Sequence, residues 1–324
     1  MELEDVTSKT IRTNRAHSEA DAGKNIHDCS ISKVDLNRAG TPLLEIVSEP
    51  DMNSVAEVMT YSRAMRQLVR YLGISHANMQ QGHMRFEPNI SLWIFDESEP
   101  DGGHYTPIVE VKNLNSFRAL ERTVAFEIDR QAEEWENDRP GYRMDKMSKQ
   151  NRGWDDVQEV TVFQRHKEEA DEYRYFPEPD LVPVEMNDEW LTEIKSNLCE
   201  LPIARQMRFV KQFGLSDYDA GVLTAERATA EFFEDAVNAG GEPKRVCNLI
   251  TQVGLKLANE KGCSVSELGI TAEALGKLAK MVQASEVSAT ASITIFEEMA
   301  QSGKAPEAIA QEKNLVQKSD AGEI

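Results

Sequence analysis

Between residues 84 and 94 the chain alternates: Met84, Phe86, Ile90, Leu92 and Ile94 fall on one side, Arg85, Glu87, Asn89, Ser91 and Trp93 on the other. A period of two predicts a half-buried β-strand. Residues 108–112 repeat it, setting Ile108, Glu110 and Lys112 against Val109 and Val111. Both strands gather charge on one side, which predicts a sheet with a packed face and a polar face. The polar side of a strand ordinarily meets only solvent. Here an Arg-x-Glu-x-Asn row and a Glu-x-Lys pair line one site if the two strands share a sheet.

A period near 3.6 replaces this pattern twice in the first half. Ser54 to Glu57 has the spacing of a capping box, followed by Val55, Val58, Met59, Ser62, Met65, Val69 and Leu72 on one stripe, with Gly73 as a stop. A second helix is predicted to start near Ser116, with Phe117, Leu120, Val124 and Ile128 on its apolar side. From about Asp188 strand alternation disappears. Helical stretches are predicted from Asp217 onward, over Thr224–Val237, Pro243–Glu260, Thr271–Gln283 and Ser292–Ser302, punctuated by glycines. The fold class expected is α+β: a mixed or antiparallel sheet domain over residues 1–190, an all-helical domain over 191–312, and a linker over 313–324.

Length and composition narrow the classes. The 324 residues suit about two domains. Apolar content is 40% and mean hydropathy −0.51. No apolar run approaches the ~20 residues of a membrane span, and the acidic start Met-Glu-Leu-Glu-Asp is unlike a signal peptide. Cys29, Cys199, Cys247 and Cys263 lie far apart, so no zinc knuckle or disulfide framework is expected, and the cytoplasm is the simplest compartment. A formal net charge of −20 argues against broad, salt-driven nucleic-acid binding; contact with RNA would need a local patch or a partner.

Candidate chemistry is uneven. Tyr173-Arg174-Tyr175-Phe176-Pro177-Glu178-Pro179-Asp180-Leu181 is no helix: each proline fixes φ and pushes its predecessor to extended geometry, giving a stiff lane that displays Tyr173, Arg174 and Tyr175. There is no P-loop and no GxGxxG turn, and no Ser-His-Asp or Cys-His arrangement is legible. Asp21-Ala22-Gly23-Lys24 is either a phosphate-approaching loop or a type I turn. His17 and His27 are either ligands or surface histidines.

Three long segments, taken in order, carry a resemblance. They are Val34 to Asp51 (with Thr41-Pro42-Leu43-Leu44-Glu45-Ile46-Val47-Ser48-Glu49-Pro50-Asp51), Val109 to Phe117 (with Glu110-Val111-Lys112-Asn113-Leu114-Asn115-Ser116), and Tyr173 to Leu181. Together they resemble the GatB family of glutamyl-/aspartyl-tRNA amidotransferase subunits. Arg15-Ala16-His17-Ser18-Glu19-Ala20-Asp21-Ala22-Gly23-Lys24 matches the family's Arg-x-His-x-Glu-Glu-Asp-Ala-Gly-Lys, with Ala20 at the second glutamate. Gln81-Gly82-His83-Met84-Arg85-Phe86-Glu87-Pro88-Asn89 matches a further strand, glutamine replacing its first glutamate, and Lys167-Glu168-Glu169 also agrees. Leu201-Pro202, Tyr218-Asp219-Ala220, Phe232-Phe233-Glu234 and Gly303-Lys304 extend the match into the helical half, where Leu249 and Thr294 depart from it.

The resemblance implies a carbon–nitrogen ligase using ATP and Mg²⁺, assembled with an amidase subunit (GatA) and a small subunit (GatC). Such a ligase phosphorylates the side-chain carboxylate of Glu-tRNA(Gln) or Asp-tRNA(Asn) and amidates it with ammonia from glutamine; the same GatB chain serves both products. It implies Arg85, Glu87, Asn89, Glu110 and Lys112 at the chemistry, Lys24 and Arg38 toward the nucleotide, Glu45 and Glu19 toward the metal, and Tyr173, Arg174 and Tyr175 toward the tRNA acceptor end. The direct run from Val182 to Leu191 into helices favours the bacterial type over the archaeal one. Set against the family, the chain is expected to start inside the catalytic domain, past the strand whose histidine and glutamate complete the metal site, and to stop before the tail. On that basis the chain alone is expected to bind magnesium–ATP weakly and to amidate no tRNA, and the alternative reading is a catalytically incomplete scaffold for tRNA or for the amidase subunit.

Overall fold

The computed structural model describes residues 9–28, 31–166 and 185–317. Their contacts divide into two compact units, residues 9–64 with 85–166, and residues 65–84 with 185–317. The sequence boundary at about 190 lacks one detail: residues 65–84 pack with the helices. Among the described residues, no helix is long and apolar enough to cross a membrane.

The first unit opens with strand β1 (Thr13–Ala20), antiparallel to β4 (Pro42–Ser48), with the hairpin β2 (Lys24–Asp28) and β3 (Ile31–Asp35) between them. None of the described side chains in these four strands is buried. The ribbon is held at its base instead. Arg12 donates its backbone N–H and two guanidinium bonds to the carboxylate of Asp51, Asn14 donates to Glu49, and the backbone N–H of Glu49 donates to the carbonyl of Arg12. The hydrogen bonds from Arg12 bring the Asp51 carboxyl down to about 2.

Next come α1 (Val55–Tyr71), β5 (Asn89–Ile90), β6 (Trp93–Phe95), β7 (Gly103–Tyr105), β8 (Val109–Lys112), α2 (Phe117–Asn137), β9 (Gln150–Asp155) and β10 (Val160–His166). A four-stranded sheet runs β10-β9-β8-β5, with β8 and β9 parallel and joined through α2, while β6 and β7 form a hairpin of their own. The single strand predicted over 84–94 is thus two strands. Pro88 has no N–H to give the ladder, which shortens the first. The register then slips by one residue: Ile90 faces Val109 but Trp93 faces Tyr105, and Leu92 donates its N–H to the Thr106 hydroxyl at 2.7 Å.

Val109, Val111 and Trp154 bury one face of the sheet against Met59 of α1 and Ala119, Leu120 and Val124 of α2. Further along α2 the buried stripe turns polar: Thr123, Glu127 and Gln131 are wholly buried. Glu127 accepts from Arg130 at 2.9 and 2.8 Å, from Gln131 at 3.3 Å and from the Thr161 hydroxyl, and lies 3.4 Å from the Arg152 guanidinium. Burial works against that charge, but the Arg130 and Thr161 hydrogen bonds outweigh it and hold the carboxyl below its ordinary range.

The second unit is helical, as expected: α3 (Asp188–Asn197), α4 (Pro202–Phe213), α5 (Asp217–Leu223), α6 (Arg227–Asn238), α7 (Pro243–Leu249), a π-helical turn (Ile250–Gly254), α8 (Leu255–Lys261), α9 (Ala272–Gln283), α10 (Ala289–Ser302) and α11 (Pro306–Glu312). Phe209, Phe213 and Phe233 meet with ring centres 5.0–5.4 Å apart in its core. Beyond residue 185 the described residues contain no sheet, only a bridge between Val287 and Val316. That bridge, with Leu315 packed on the core, docks residues that the sequence pattern assigned to a linker.

Candidate functional site

The segment Glu110 to Ser116 makes one piece of structure after another. Glu110 and Lys112 lie on the polar face of β8, with Val109 and Val111 in the core behind them. Asn113 then takes a left-handed conformation at φ 68°, which asparagine tolerates better than most residues, and its amide donates to the Trp154 carbonyl. Leu114 is buried, and Ser116 caps α2 by accepting from the Ala119 N–H at 3.0 Å.

Lys112 is the centre of the polar face. Its Nζ lies 3.1 Å from Glu87 Oε2 and 3.1 Å from Glu110 Oε1. Burial opposes the ammonium charge, yet the two carboxylates prevail and raise the Lys112 pKa above its usual value. Asn89 is paired with Glu110 across β5 and β8. Arg85 is exposed on the same alternating side as Glu87 and pairs with no carboxylate among the described residues. Four of the five residues predicted at the chemistry therefore meet, and Arg85 stands two positions away along the chain.

The register adds two residues that the sequence pattern did not point to. Glu110 is opposite Asn151 on β9, and Asn151 is opposite Arg165 on β10, so Asn89, Glu110, Asn151 and Arg165 form a row across all four strands. Asn151 is 2% exposed, and its Oδ1 has no hydrogen-bond partner among the described residues. Beside the row, an open cavity of about 370 Å³ lies between Asn113, Gly153, Asp155, Asp156 and Gln164.

A second group sits on the β1–β4 ribbon. His17 is directly opposite Glu45, and Glu19 lies two residues along the same face. Ligand atoms of the three all lie within 4.8 Å of one another, with His17 Nε2 3.0 Å from Glu45 Oε2. Arg15, on that face too, reaches Glu45 at 4.0 Å. The two residues expected toward the nucleotide take different partners. Arg38 is tied to Asp21 at 2.9 Å in the turn before β4, whereas Lys24 begins β2 opposite Asp35.

Comparison with known proteins decides what these residues belong to. The model of the GatB/GatE catalytic domain matches residues 1–192, and that of the GatB domain matches residues 231–324. The chain belongs to the GatB family. It is similar to the aspartyl/glutamyl-tRNA(Asn/Gln) amidotransferase B subunit of Oleidesulfovibrio alaskensis, 44% identical over 319 residues, covering 98% of this chain and 65% of that protein. The proteins of the same name from Thermodesulfovibrio yellowstonii and Carboxydothermus hydrogenoformans are 42% and 41% identical over 315 and 321 residues, covering 97% and 98% of this chain and 64% of each relative. The chain thus spans just under two thirds of the length of these curated relatives.

The GatB motifs now have positions. The Glu110 to Ser116 motif supplies two charges, a left-handed turn and a helix cap, and Glu49 and Asp51 anchor the ribbon. Ala20 pairs with Pro42 and so lies on the ribbon face opposite to His17, Glu19 and Glu45. Tyr173, Arg174 and Tyr175 lie outside the described residues.

Proposed function

We propose that this chain acts as the GatB subunit of an ATP-dependent aminoacyl-tRNA amidotransferase, working with an amidase subunit (GatA) and a small subunit (GatC) in the cytoplasm. The observation that carries the reading is Lys112, held charged between Glu87 and Glu110 on a polar sheet face with Asn89, Asn151 and Arg165 in the adjoining row. A carboxylate cannot be amidated directly, because oxide is a poor leaving group. Transfer of the ATP γ-phosphoryl to the side-chain carboxylate of Glu-tRNA(Gln) or Asp-tRNA(Asn) releases ADP and creates an acyl phosphate. Ammonia then attacks the acyl carbon, the C–O bond to phosphate breaks, and the nitrogen loses its excess proton.

Both steps spread negative charge over phosphoryl oxygens, where fixed cations act strongly. Lys112 and Arg165 supply that charge, and Arg85, two residues before Glu87, adds to it. Glu110 and Asn89 orient the acceptor, and Glu87 keeps Lys112 protonated and in place. The ribbon carboxylates Glu19 and Glu45 fit a divalent cation, which would neutralise phosphate charge; Lys24 and Arg38 serve the nucleotide, and Tyr173, Arg174 and Tyr175 the acceptor end.

The test is the chain reconstituted with bacterial amidase and small subunits, ATP, glutamine and Glu-tRNA(Gln). Conversion to Gln-tRNA(Gln) is expected, with Lys112→Met lowering kcat/KM by about 10²–10³, the usual cost of removing one charge-stabilising donor. A Lys112→Met complex within threefold of wild type would refute the assignment. A wild-type complex that binds tRNA without converting it would favour the scaffold reading.

A further inference from the structure

The hairpin of β6 and β7 has one face docked and one face bare. On the docked side Ile94 is half-buried, and His104 accepts from the Trp135 indole N–H of α2 at 3.1 Å. Strand alternation then turns Trp93, Phe95 and Tyr105 to the other side. Trp93 and Tyr105 pair across the strands with ring centres 4.7 Å apart, and Phe95 stands perpendicular to Trp93 at 6.3 Å. Phe95 is opposite Gly103, where an added Cβ would come within 3.0 Å of the Trp93 ring. The facing strand therefore supplies no side chain to cover Phe95, which is 87% exposed.

We infer that this aromatic shelf is a docking surface for an arginine- or lysine-bearing segment of a protein partner. Charge decides the occupant. The tip joining the two strands carries Asp96, Glu97, Glu99 and Asp101. Asp96 accepts from the Ser98 hydroxyl at 2.6 Å and Glu99 pairs with Arg143 at 2.6 Å, while Arg143 and Lys146 are also engaged by Asp145. Glu97 and Asp101 are exposed and pair with no cation among the described residues. A cation laid over the open face of Phe95 is attracted by the ring's quadrupole, and these two carboxylates meet its charge. The same carboxylates repel phosphate, which works against a nucleic-acid strand stacking on the rings. A second copy of the chain would bring a net charge of −20 toward the acidic tip. Aromatic residues and arginine are the types enriched at the centres of protein interfaces, so the shelf and its occupant suit each other.

The shelf takes no part in the amidation proposed above, and its test needs neither ATP nor tRNA. The probe is a fluorescein-labelled peptide, Arg-Gly-Arg-Arg-Gly-Arg, titrated with the full chain and followed by fluorescence anisotropy. Saturable binding is expected. Phe95→Ser should weaken it at least about threefold with an unchanged circular dichroism spectrum, and Phe95→Trp should retain it, because indole is the better partner for a cation. Glu97→Gln combined with Asp101→Asn should also weaken it at least about threefold. Glu193→Gln combined with Asp235→Asn removes the same charge from exposed positions on the helices and should weaken it less than the tip pair does. A smaller loss in Phe95→Ser, an equal loss in the helical pair, or no saturable binding would overturn the inference. A labelled uridine hexanucleotide that binds the wild type more tightly than the peptide, and is lost in Phe95→Ser, would overturn it in favour of a base-stacking surface.

Discussion

Replacing Glu127 by glutamine keeps the shape of a wholly buried side chain and removes its charge. Two arginines then lose their buried counter-charge: Arg130, bonded at 2.9 and 2.8 Å, and Arg152, at 3.4 Å. At an effective dielectric of about 20, a pair some 3 Å apart is worth about 5 kcal/mol of Coulomb attraction before desolvation is counted. Deleting one partner of a buried pair typically costs about 3–5 kcal/mol net, because the other charge stays buried and uncompensated. Native domains hold only about 5–15 kcal/mol in total, so Glu127→Gln should remove a large share of the sheet unit's stability. Urea unfolding followed by tryptophan fluorescence reads this, since Trp154 belongs to the same core. The double variant Glu127→Gln with Arg152→Gln should cost less than the sum of the single changes by at least about 1 kcal/mol. Acid should show the same group in the wild type. The Glu127 carboxyl is held below its ordinary value, so its contribution is complete above about pH 4.3 and fades as pH falls through the lower folded value. A single-variant loss under about 1 kcal/mol, with an unchanged acid limb, would refute the account.

Two further outcomes follow from other parts of the molecule. Ser116→Ala removes the cap of α2 and should lower stability by about 1 kcal/mol in the same urea experiment, with Ser116→Asp restoring most of it. Burial pushes the Cys247 thiol up to about 12, so native protein at pH 8 should leave Cys247 unalkylated by iodoacetamide while denatured protein labels fully, as read by peptide mass spectrometry.

Residues with a regular period were legible and residues placed by pairing were not. Glu110 and Lys112 could be set on one face because Val109 and Val111 alternate with them, and Ser116 announced its helix by residue type. Asn151 and Arg165 were hidden because β9 is buried on both faces and shows no alternation, and β10 carries a register irregularity between Phe163 and Arg165. Glu127 was missed because a glutamate on a helix reads as solvated until its partners from β9 and β10 are known. The face shared by His17, Glu19 and Glu45 depends on how β1 meets β4, which no period within either strand encodes. Helices α4 and α11 were overlooked although Pro202 and Pro306 mark their first turns.

The parallel pairing of β8 with β9 sets an order of events during synthesis. Parallel neighbours cannot be joined by a tight turn, so β9 reaches β8 only after all of α2 has been made. A nascent chain ending before Gln150 can already bring Glu87 to Lys112, because both lie upstream. It lacks Asn151 and Arg165, and Glu127 has neither Arg152 nor Thr161 to receive it. Gln131 can already meet Thr106 and Ile90, but Glu127 stays without its strand partners until β9 and β10 emerge from the ribosome. Closing that long connection is the slow step expected of non-local strand pairing. The ribbon of β1 and β4 can pair early, and the polar row of the sheet is completed in one late, cooperative event.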